Sequence, residues 1–234
     1  MKKPVVDYRG LRLHNITSPQ YNHLLLMLGW VGYFALYFLT ENLIPAEACT
    51  PIHIWLDDLI PFCEWFVIPY VGWYLLIVVS LGWFALYNVK NFRRLQTFII
   101  VTQVVAMIIY ILWPSRQDLR PEVFPRDNFL TDILGLIYAF DTSTGVCPSL
   151  HAAYSIGIAS VWLKEPEASR GVKLFIALFC FVICISIAFV KQHSIADFFA
   201  AIPVIVLGWL IFYLPRRKAI AAKAKAAVAV EQAA

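Results

Sequence analysis

Six apolar runs, nearly free of charged side chains, dominate this sequence and restrict what it can fold into. A helix that crosses a bilayer needs about 20 mostly apolar residues, and each run is near that length. The runs cover residues 24–39, 65–87, 98–113, 148–163, 172–190 and 198–214. They predict an all-α protein, a bundle of six transmembrane helices. Residues 128–140 form a shorter apolar stretch that contains Asp132, which indicates an interfacial or re-entrant helix.

Composition supports lipid as the solvent of this chain. Hydrophobic residues make up 61% of it and charged residues 15%, against roughly 45–50% and about 25% in soluble domains. One globular core cannot bury that excess. The fourth run begins in polar sequence, so its start is expected to lie in a polar cavity rather than in lipid.

The distribution of basic residues predicts the orientation. With the N-terminus inside, 15 of the 19 Lys and Arg residues fall on the cytoplasmic side, as the positive-inside rule requires. Both termini are therefore expected in the cytoplasm. The expected parts are an N-terminal segment (1–22), a membrane domain (23–215) and an Ala/Lys-rich tail (216–234). The four cations on the opposite side are Arg116, Arg120, Arg126 and Lys191.

Two other classes of protein receive little support. No basic cluster is interleaved with aromatic residues in a soluble stretch, so a nucleic-acid partner is not expected. The 5 cysteines show no C-x-x-C spacing, which argues against a zinc ribbon or a thioredoxin-like site. Cys49 and Cys63 fall in the same predicted loop, where a disulfide between them is one possibility.

Three polar segments interrupt the apolar pattern, and the predicted topology puts all of them on the outer face. Ionisable residues near a membrane span are costly and indicate function by default. The segments are 113–121 after the third run, 141–151 at the start of the fourth, and 191–197 between the fifth and sixth.

The third segment holds His193 and Asp197, spaced i and i+4, so that a helix would bring them into contact. A carboxylate bonded to one imidazole nitrogen leaves the other free as a nucleophile or base. Lys191 would balance the charge of an anionic substrate. The structural alternative is that Lys191 reaches the headgroups and the His193–Asp197 pair caps a helix.

The remaining two segments predict groups that bind phosphate. Pro148 suits a first helical turn, whose free N–H groups near Ser149 and His151 bind anions readily. Arg116 and Arg120 carry guanidinium forks that match phosphate geometry. In the structural interpretation, Ser149 only caps the helix, His151 bonds a backbone carbonyl, and the arginines bind headgroups or acidic neighbours.

Taken together, the three segments resemble the signatures of the type 2 phosphatidic acid phosphatase superfamily. The matching residues are Arg120-Pro121, Pro148-Ser149-Leu150-His151, and His193 with Asp197. The resemblance implies a six-span bundle in which His193 forms a phosphohistidine and Asp197 orients it. It further implies that His151 protonates the leaving group, and that Arg120 and the N–H groups near Ser149 hold the phosphate. No metal or other cofactor is implied.

Two positions depart from these signatures: Trp113 stands where the family has a Lys, and Ile187 where it has an Arg. Arg116 and Lys191 are close enough in sequence to replace them. The residues around His151 and His193 resemble those of the branch that contains inositol phosphorylceramide synthases. This resemblance raises phosphotransfer to an alcohol as an alternative.

The predicted function is thus a metal-independent phosphatase at the extracytoplasmic face, in the plasma membrane. Its expected substrate is a membrane lipid similar to phosphatidic acid, phosphatidylglycerophosphate or a polyprenyl diphosphate. The chain could instead be a non-catalytic lipid transporter or pseudoenzyme. His151, His193 and Asp197 could also hold a metal ion, since two imidazoles and a carboxylate form a known ligand set.

Overall fold

A computed structural model of the chain describes residues 3–211, and most of these residues are helical. The end of the sixth apolar run and the whole Ala/Lys-rich tail lie outside the described residues. The α-helices are α1 (Leu28–Leu43), α2 (Trp55–Leu59), α3 (Val67–Tyr87), α4 (Val89–Leu112), α5 (Phe129–Phe140), α6 (Leu150–Leu163), α7 (Arg170–Phe189) and α8 (Ile195–Ile211).

Four helical stretches are long and apolar enough to cross a membrane, as expected of a membrane protein. They are Asn22–Leu43, which joins a 3-10 turn to α1, Glu64–Tyr87, which does the same for α3, Val89–Leu112 and Arg170–Phe189. Large apolar side chains cover their outer surfaces; Phe175 and Phe181 of α7, for example, are 63% and 62% exposed. Such surfaces are stable in lipid and costly in water.

The prediction of six full-length spans is confirmed only for these four. The fourth run forms α6, which has 14 residues and is therefore about 21 Å long at 1.5 Å per residue. That is short of the roughly 30 Å hydrocarbon core of a bilayer. The sixth run begins earlier than expected, at Ile195, and α8 is described only as far as Ile211.

The core lies where α3, α4, α6 and α7 pack against one another, with α1 on the outer side of α4. Its fully buried side chains include Phe84, Leu95, Ile99, Ile158 and Ile183. We call the end of the bundle where α3 and α6 begin the upper end. At the lower end, Asn88 and Asn91 donate hydrogen bonds to the buried carboxylate of Glu165 at 2.8 and 2.7 Å.

Loops at the upper end are tied to the bundle by short elements. Two short parallel strands, β1 (Thr50–Pro51) and β2 (Ser115–Arg116), pair the loop after α1 with the loop after α4. The stretch 128–140 does form a helix, α5, with Asn128 as its N-cap: that side chain accepts from the N–H groups of Leu130 and Thr131.

The cysteines are all free thiols. Cys49 is buried and Cys63 is partly buried, and the two do not form the disulfide that their shared loop made possible. Cys180 and Cys184 are buried in the core.

Candidate active site

The guanidinium of Arg120 joins the three polar segments at the upper end. Its Nε and Nη2 donate to Oε1 of Gln192 at 3.0 and 2.5 Å. Nη2 also donates to the carbonyl oxygens of Asp141 and Thr142 at 2.8 and 2.9 Å, and the guanidinium lies 4.5 Å from the ring centre of Tyr138. One side chain therefore holds the loop after α4, the loop before α6 and the loop after α7 together.

His193 and Asp197 form the contact that their spacing predicts. His193 Nδ1 lies 3.1 Å from Asp197 Oδ2, and both side chains are buried. The N–H of Ser194 donates to the same oxygen at 3.2 Å, and the N–H of Ser149 donates to the Asp197 carbonyl at 3.1 Å. Because Nδ1 is occupied by the carboxylate, Nε2 is the nitrogen left to react.

His151 lies beside this pair, held between two aromatic rings of α3. Its ring centre is 4.5 Å from that of Tyr70 and 4.0 Å from that of Trp73. The centres of the His151 and His193 rings are 5.6 Å apart. Within residues 3–211 the buried Nε2 of His151 has no hydrogen-bond partner, so a polar group from a bound molecule would satisfy it.

Both histidines line one end of a half-open cavity of about 690 Å³ whose walls come from α1, α3, α4 and α6. Asp141, Thr142, Thr144 and Gln192 line the same end. The remaining lining is almost entirely aromatic and aliphatic. Clefts of this size, apolar with a few convergent polar groups, are typical of small-molecule sites.

Ser149 starts α6. Its Oγ accepts from the N–H of Ala152 at 3.4 Å, which is the N-cap bond expected of a serine at this position. The N–H groups of Leu150 and His151, in the same first turn, have no protein acceptor in the described part of the chain. A helix start with free N–H groups beside a histidine pair suits an anion.

Arg116 lies apart from the histidines. Its Nε donates to both oxygens of Asp118 at 3.1 Å, and Nη1 donates to the Ala46 carbonyl at 2.8 Å. It therefore braces the loops beside β1 and β2, and it does not line the cavity. Its assignment to phosphate remains a prediction from the sequence, and this geometry adds nothing to it.

Lys191 is also directed elsewhere. Its Nζ donates to the carbonyl oxygens of Asp57 and Ile60, at 3.0 and 2.5 Å, and so closes the end of α2. Burial lowers the pKa of this amine, although the nearby carboxylates of Asp57 and Asp58 oppose that shift. Its backbone has a φ of 54°, an uncommon conformation for a residue with a Cβ, and the two bonds of Nζ help to hold it.

Asp57 is a residue of the site that sequence reasoning missed. Its carboxylate is buried and accepts from Ser194 Oγ at 2.6 Å and from the Ile195 N–H at 2.8 Å. It also accepts from the Ile54 N–H at 2.9 Å. The one signal in the sequence is local: an acidic residue in a first helical turn predicts a cap, but not a contact with a loop more than 130 residues away.

The Cys147 thiol is the other potential nucleophile near Asp197. Burial, together with the negative charge of Asp197, raises the pKa of this thiol to about 12. It is therefore protonated at neutral pH, and the thiol form is a poor nucleophile.

Among residues 3–211, no group of three or more His, Cys, Asp or Glu side chains is arranged to hold a metal ion. The three segments that carry the family resemblance lie around one end of the cavity or brace its loops. Trp113 is 47% exposed, and Ile187 is fully buried in an apolar cluster with Tyr70 and Leu134.

No protein-family model, curated protein or solved structure shows a significant match to this chain.

Proposed function

We propose that this chain is a membrane enzyme that cleaves a lipid phosphate through a phosphohistidine at His193. The observation that carries the proposal is the pairing of His193 with Asp197 at 3.1 Å, next to a His151 whose Nε2 lacks a partner. Two imidazoles and a carboxylate in this relation form an activated nucleophile with a separate proton donor. An otherwise apolar cavity beside them suits a lipid.

In the first step, the lone pair of His193 Nε2 attacks phosphorus in line with the ester oxygen. A P–N bond forms, the P–O bond to the lipid breaks, and His151 donates a proton so that the lipid leaves as an alcohol. Asp197 stabilises the positive charge that develops on His193. The rings of Tyr70 and Trp73, which pack against His151, hold its imidazole in position.

In the second step, water attacks the phosphohistidine, the P–N bond breaks and inorganic phosphate leaves. His151 now accepts the proton of the attacking water, which restores both histidines. The N–H groups at the start of α6 hold phosphate oxygens throughout. Phosphoryl transfer depends mostly on positioning and charge stabilisation, and this site supplies the positioning through Asp197, Asp57 and Arg120.

The arrangement in the membrane is part of the proposal. α6 and α8 complete a six-helix bundle, both termini are cytoplasmic, and the upper end faces the extracytoplasmic side. The enzyme works in the plasma membrane on lipids of its outer leaflet.

The charges around the cavity favour a second candidate, transfer of a headgroup from a phosphodiester lipid to an alcohol. Arg120 already donates to carbonyl groups and Gln192, whereas two carboxylates, Asp141 and Glu41, stand at the loop before α6. A phosphomonoester carries up to two negative charges and a phosphodiester only one. The smaller charge is easier to accommodate where few free cations are present.

The test is turnover by the purified chain on a panel of lipids in mixed micelles. The panel contains phosphatidic acid and phosphatidylglycerophosphate, a polyprenyl diphosphate, and phosphatidylinositol with and without an added lipid alcohol. We expect phosphate release to survive a chelator and to fall by at least about a thousandfold in His193→Gln. A ³¹P signal of phosphohistidine should appear in the parent protein and be absent from the variant.

The outcomes separate the candidates. Release of phosphate from monoesters supports the phosphatase, whereas headgroup transfer that requires the acceptor alcohol supports the transferase. Loss of turnover with the chelator would point to a metal. Silence on every lipid, from a sample with an unchanged unfolding temperature, would leave a transporter or pseudoenzyme.

A further inference from the structure

The cavity extends far beyond the histidines, along the axis of the bundle. On α3 its lining runs from Trp73 to Ala85, a distance of about 18 Å at 1.5 Å per residue. The contributing α3 residues recur at intervals of three and four and so form one face: Trp73, Tyr74, Ile77, Val78, Leu81, Gly82 and Ala85. The far end is formed by Leu24, Met27 and Phe92.

Polarity is confined to one end of this space. The polar lining residues Asp141, Thr142, Thr144, Gln192 and His193 belong to the loops of the upper end. Below Tyr37 and Tyr110 the lining is aromatic and aliphatic, from Trp30 and Tyr33 down to the far end. A molecule that matches this distribution has one polar head and a long apolar extension.

We propose that this half-open cavity, between α1 and α3, holds a hydrocarbon chain of the lipid substrate, with its phosphate at His193 and its end near Leu24, Met27 and Phe92. This inference rests on the proposed function and adds a selection rule to it. The enzyme prefers substrates with one long chain up to the length that reaches this floor, and a longer chain gains nothing more.

Gly82 provides a direct way to shorten the space. It lines the cavity about 12 Å below the level of Tyr74, counted along α3. A Cβ added at Gly82 would meet nothing within 4 Å, so a larger side chain can enter the cavity without displacing the helix. Gly32 of α1 likewise has open space around it and does not line the cavity, which makes it a matched control.

We expect Gly82→Leu to change the chain-length profile. The ratio of kcat/KM for chains of about sixteen carbons to that for chains of about eight should fall by more than about tenfold, since each excluded methylene is worth up to about fourfold in binding. Gly32→Leu should retain the parent profile at both lengths. An unchanged chain-length profile in Gly82→Leu would overturn the inference.

A binding experiment separates this inference from the proposed function. The probe is a long-chain alkyl phosphonate, which has no cleavable ester bond, with a diazirine at the last carbon of the chain. After irradiation, peptide mapping should place the label at Leu24, Met27 or Phe92, and a diazirine next to the phosphonate should label Tyr74 or Tyr110.

Labelling does not require turnover, so the two failures differ. Suppose that the floor of the cavity is labelled but no lipid phosphate is turned over. That result would overturn the proposed function, while the binding of a hydrocarbon chain in the cavity would stand. Normal turnover with chain-end labels only on the lipid-facing residues Phe175 and Phe181 would overturn the chain site alone.

Discussion

The carboxylate of Asp57 determines where the loop that carries His193 can lie. The carboxylate accepts hydrogen bonds from the Ser194 hydroxyl and the Ile195 N–H. The backbone carbonyl of Asp57 accepts a further one from Lys191 Nζ. The residues on both sides of His193 are therefore anchored to α2. Asp57 acts on the histidine through this loop, so we describe it as a positioning residue.

Replacing Asp57 with Asn tests that role. The amide keeps the size of the side chain but cannot accept at both atoms, and we expect kcat to fall by about tenfold or more while KM changes little. Asp58→Asn is the matched control. Asp58 is exposed, and within the described part of the chain its side chain forms a hydrogen-bonded pair with His53 alone. Both variants are compared by kinetics per folded molecule, with unfolding temperature as the measure of folding.

A purely structural role for Asp57 predicts a different result. It would lower the unfolding temperature and the yield, but the surviving folded molecules would show the parent kcat. An equal effect of Asp58→Asn would also contradict the positioning role.

Some of these residue contacts follow from local spacing and others do not. The i, i+4 spacing predicts the contact between His193 and Asp197, but its cause differs from the prediction: His193 lies in the turn before α8, and Asp197 reaches back to it from the first turn of that helix. Tyr70 and Trp73 are separated from His151, and Asp57 from Ser194, by tens of residues or more, so only the packing of α2 and α3 reveals these contacts. Proximity in sequence predicts that Arg116 and Lys191 bind phosphate, yet backbone carbonyls and Asp118 take up their donors.

At the scale of elements, glycines set how closely the helices approach. The ring of Phe98 on α4 lies against Gly157 of α6 and Gly208 of α8. A Cβ at Gly157 would overlap that ring, and one at Gly208 would come within 2.9 Å of it. Small residues allow close helix packing in membranes, where tight contact replaces much of the hydrophobic driving force.

We expect Gly157→Ala to destabilise the bundle by about 1–3 kcal/mol, the usual cost of overpacking a tight interface. The measurement is the unfolding temperature in detergent. Adding Phe98→Leu should recover part of the loss, because the smaller side chain makes room for the methyl group. Gly32→Ala, where a Cβ meets nothing, should be neutral or slightly stabilising, and a loss equal to that of Gly157→Ala would refute this account.

Element types were predictable from the sequence, but their lengths were less so. Long apolar runs indicate helices because lipid offers no partner to the backbone. The starting points of α6 and α8 coincide with bonds around His193, where the Ser149 N–H bonds the Asp197 carbonyl and the Asp57 carboxylate accepts from the Ile195 N–H. Hydropathy alone does not contain these long-range bonds.

At the scale of the molecule, all four cations of the predicted outer face are held by protein acceptors. Arg116 and Arg120 bond carbonyls and neighbouring side chains, Lys191 bonds two carbonyls, and Arg126 forms a bidentate pair with the buried Glu64 at 2.6 and 2.7 Å. Cations neutralised in this way attract lipid phosphates less. Each of the four cations therefore has a role within the fold. That role accounts for basic residues on the side where the positive-inside rule predicts few of them.

That orientation predicts a labelling pattern. In a variant without native cysteines, a single cysteine at Asp58 should react with a membrane-impermeant maleimide in intact cells. One at Glu167, an exposed position between α6 and α7, should react only after permeabilisation. The opposite pattern would place the upper end in the cytoplasm and contradict the proposed location of the site.

The unequal lengths of the helices have a consequence for the surrounding bilayer. α4 has 24 residues and α6 has 14, so their lengths differ by about 15 Å along the bundle. Ten of the 14 residues of α6 are buried, so protein rather than lipid surrounds most of the short helix. The short helix can therefore end within the depth of the membrane, and the bilayer can keep the thickness that the longer, lipid-facing helices set.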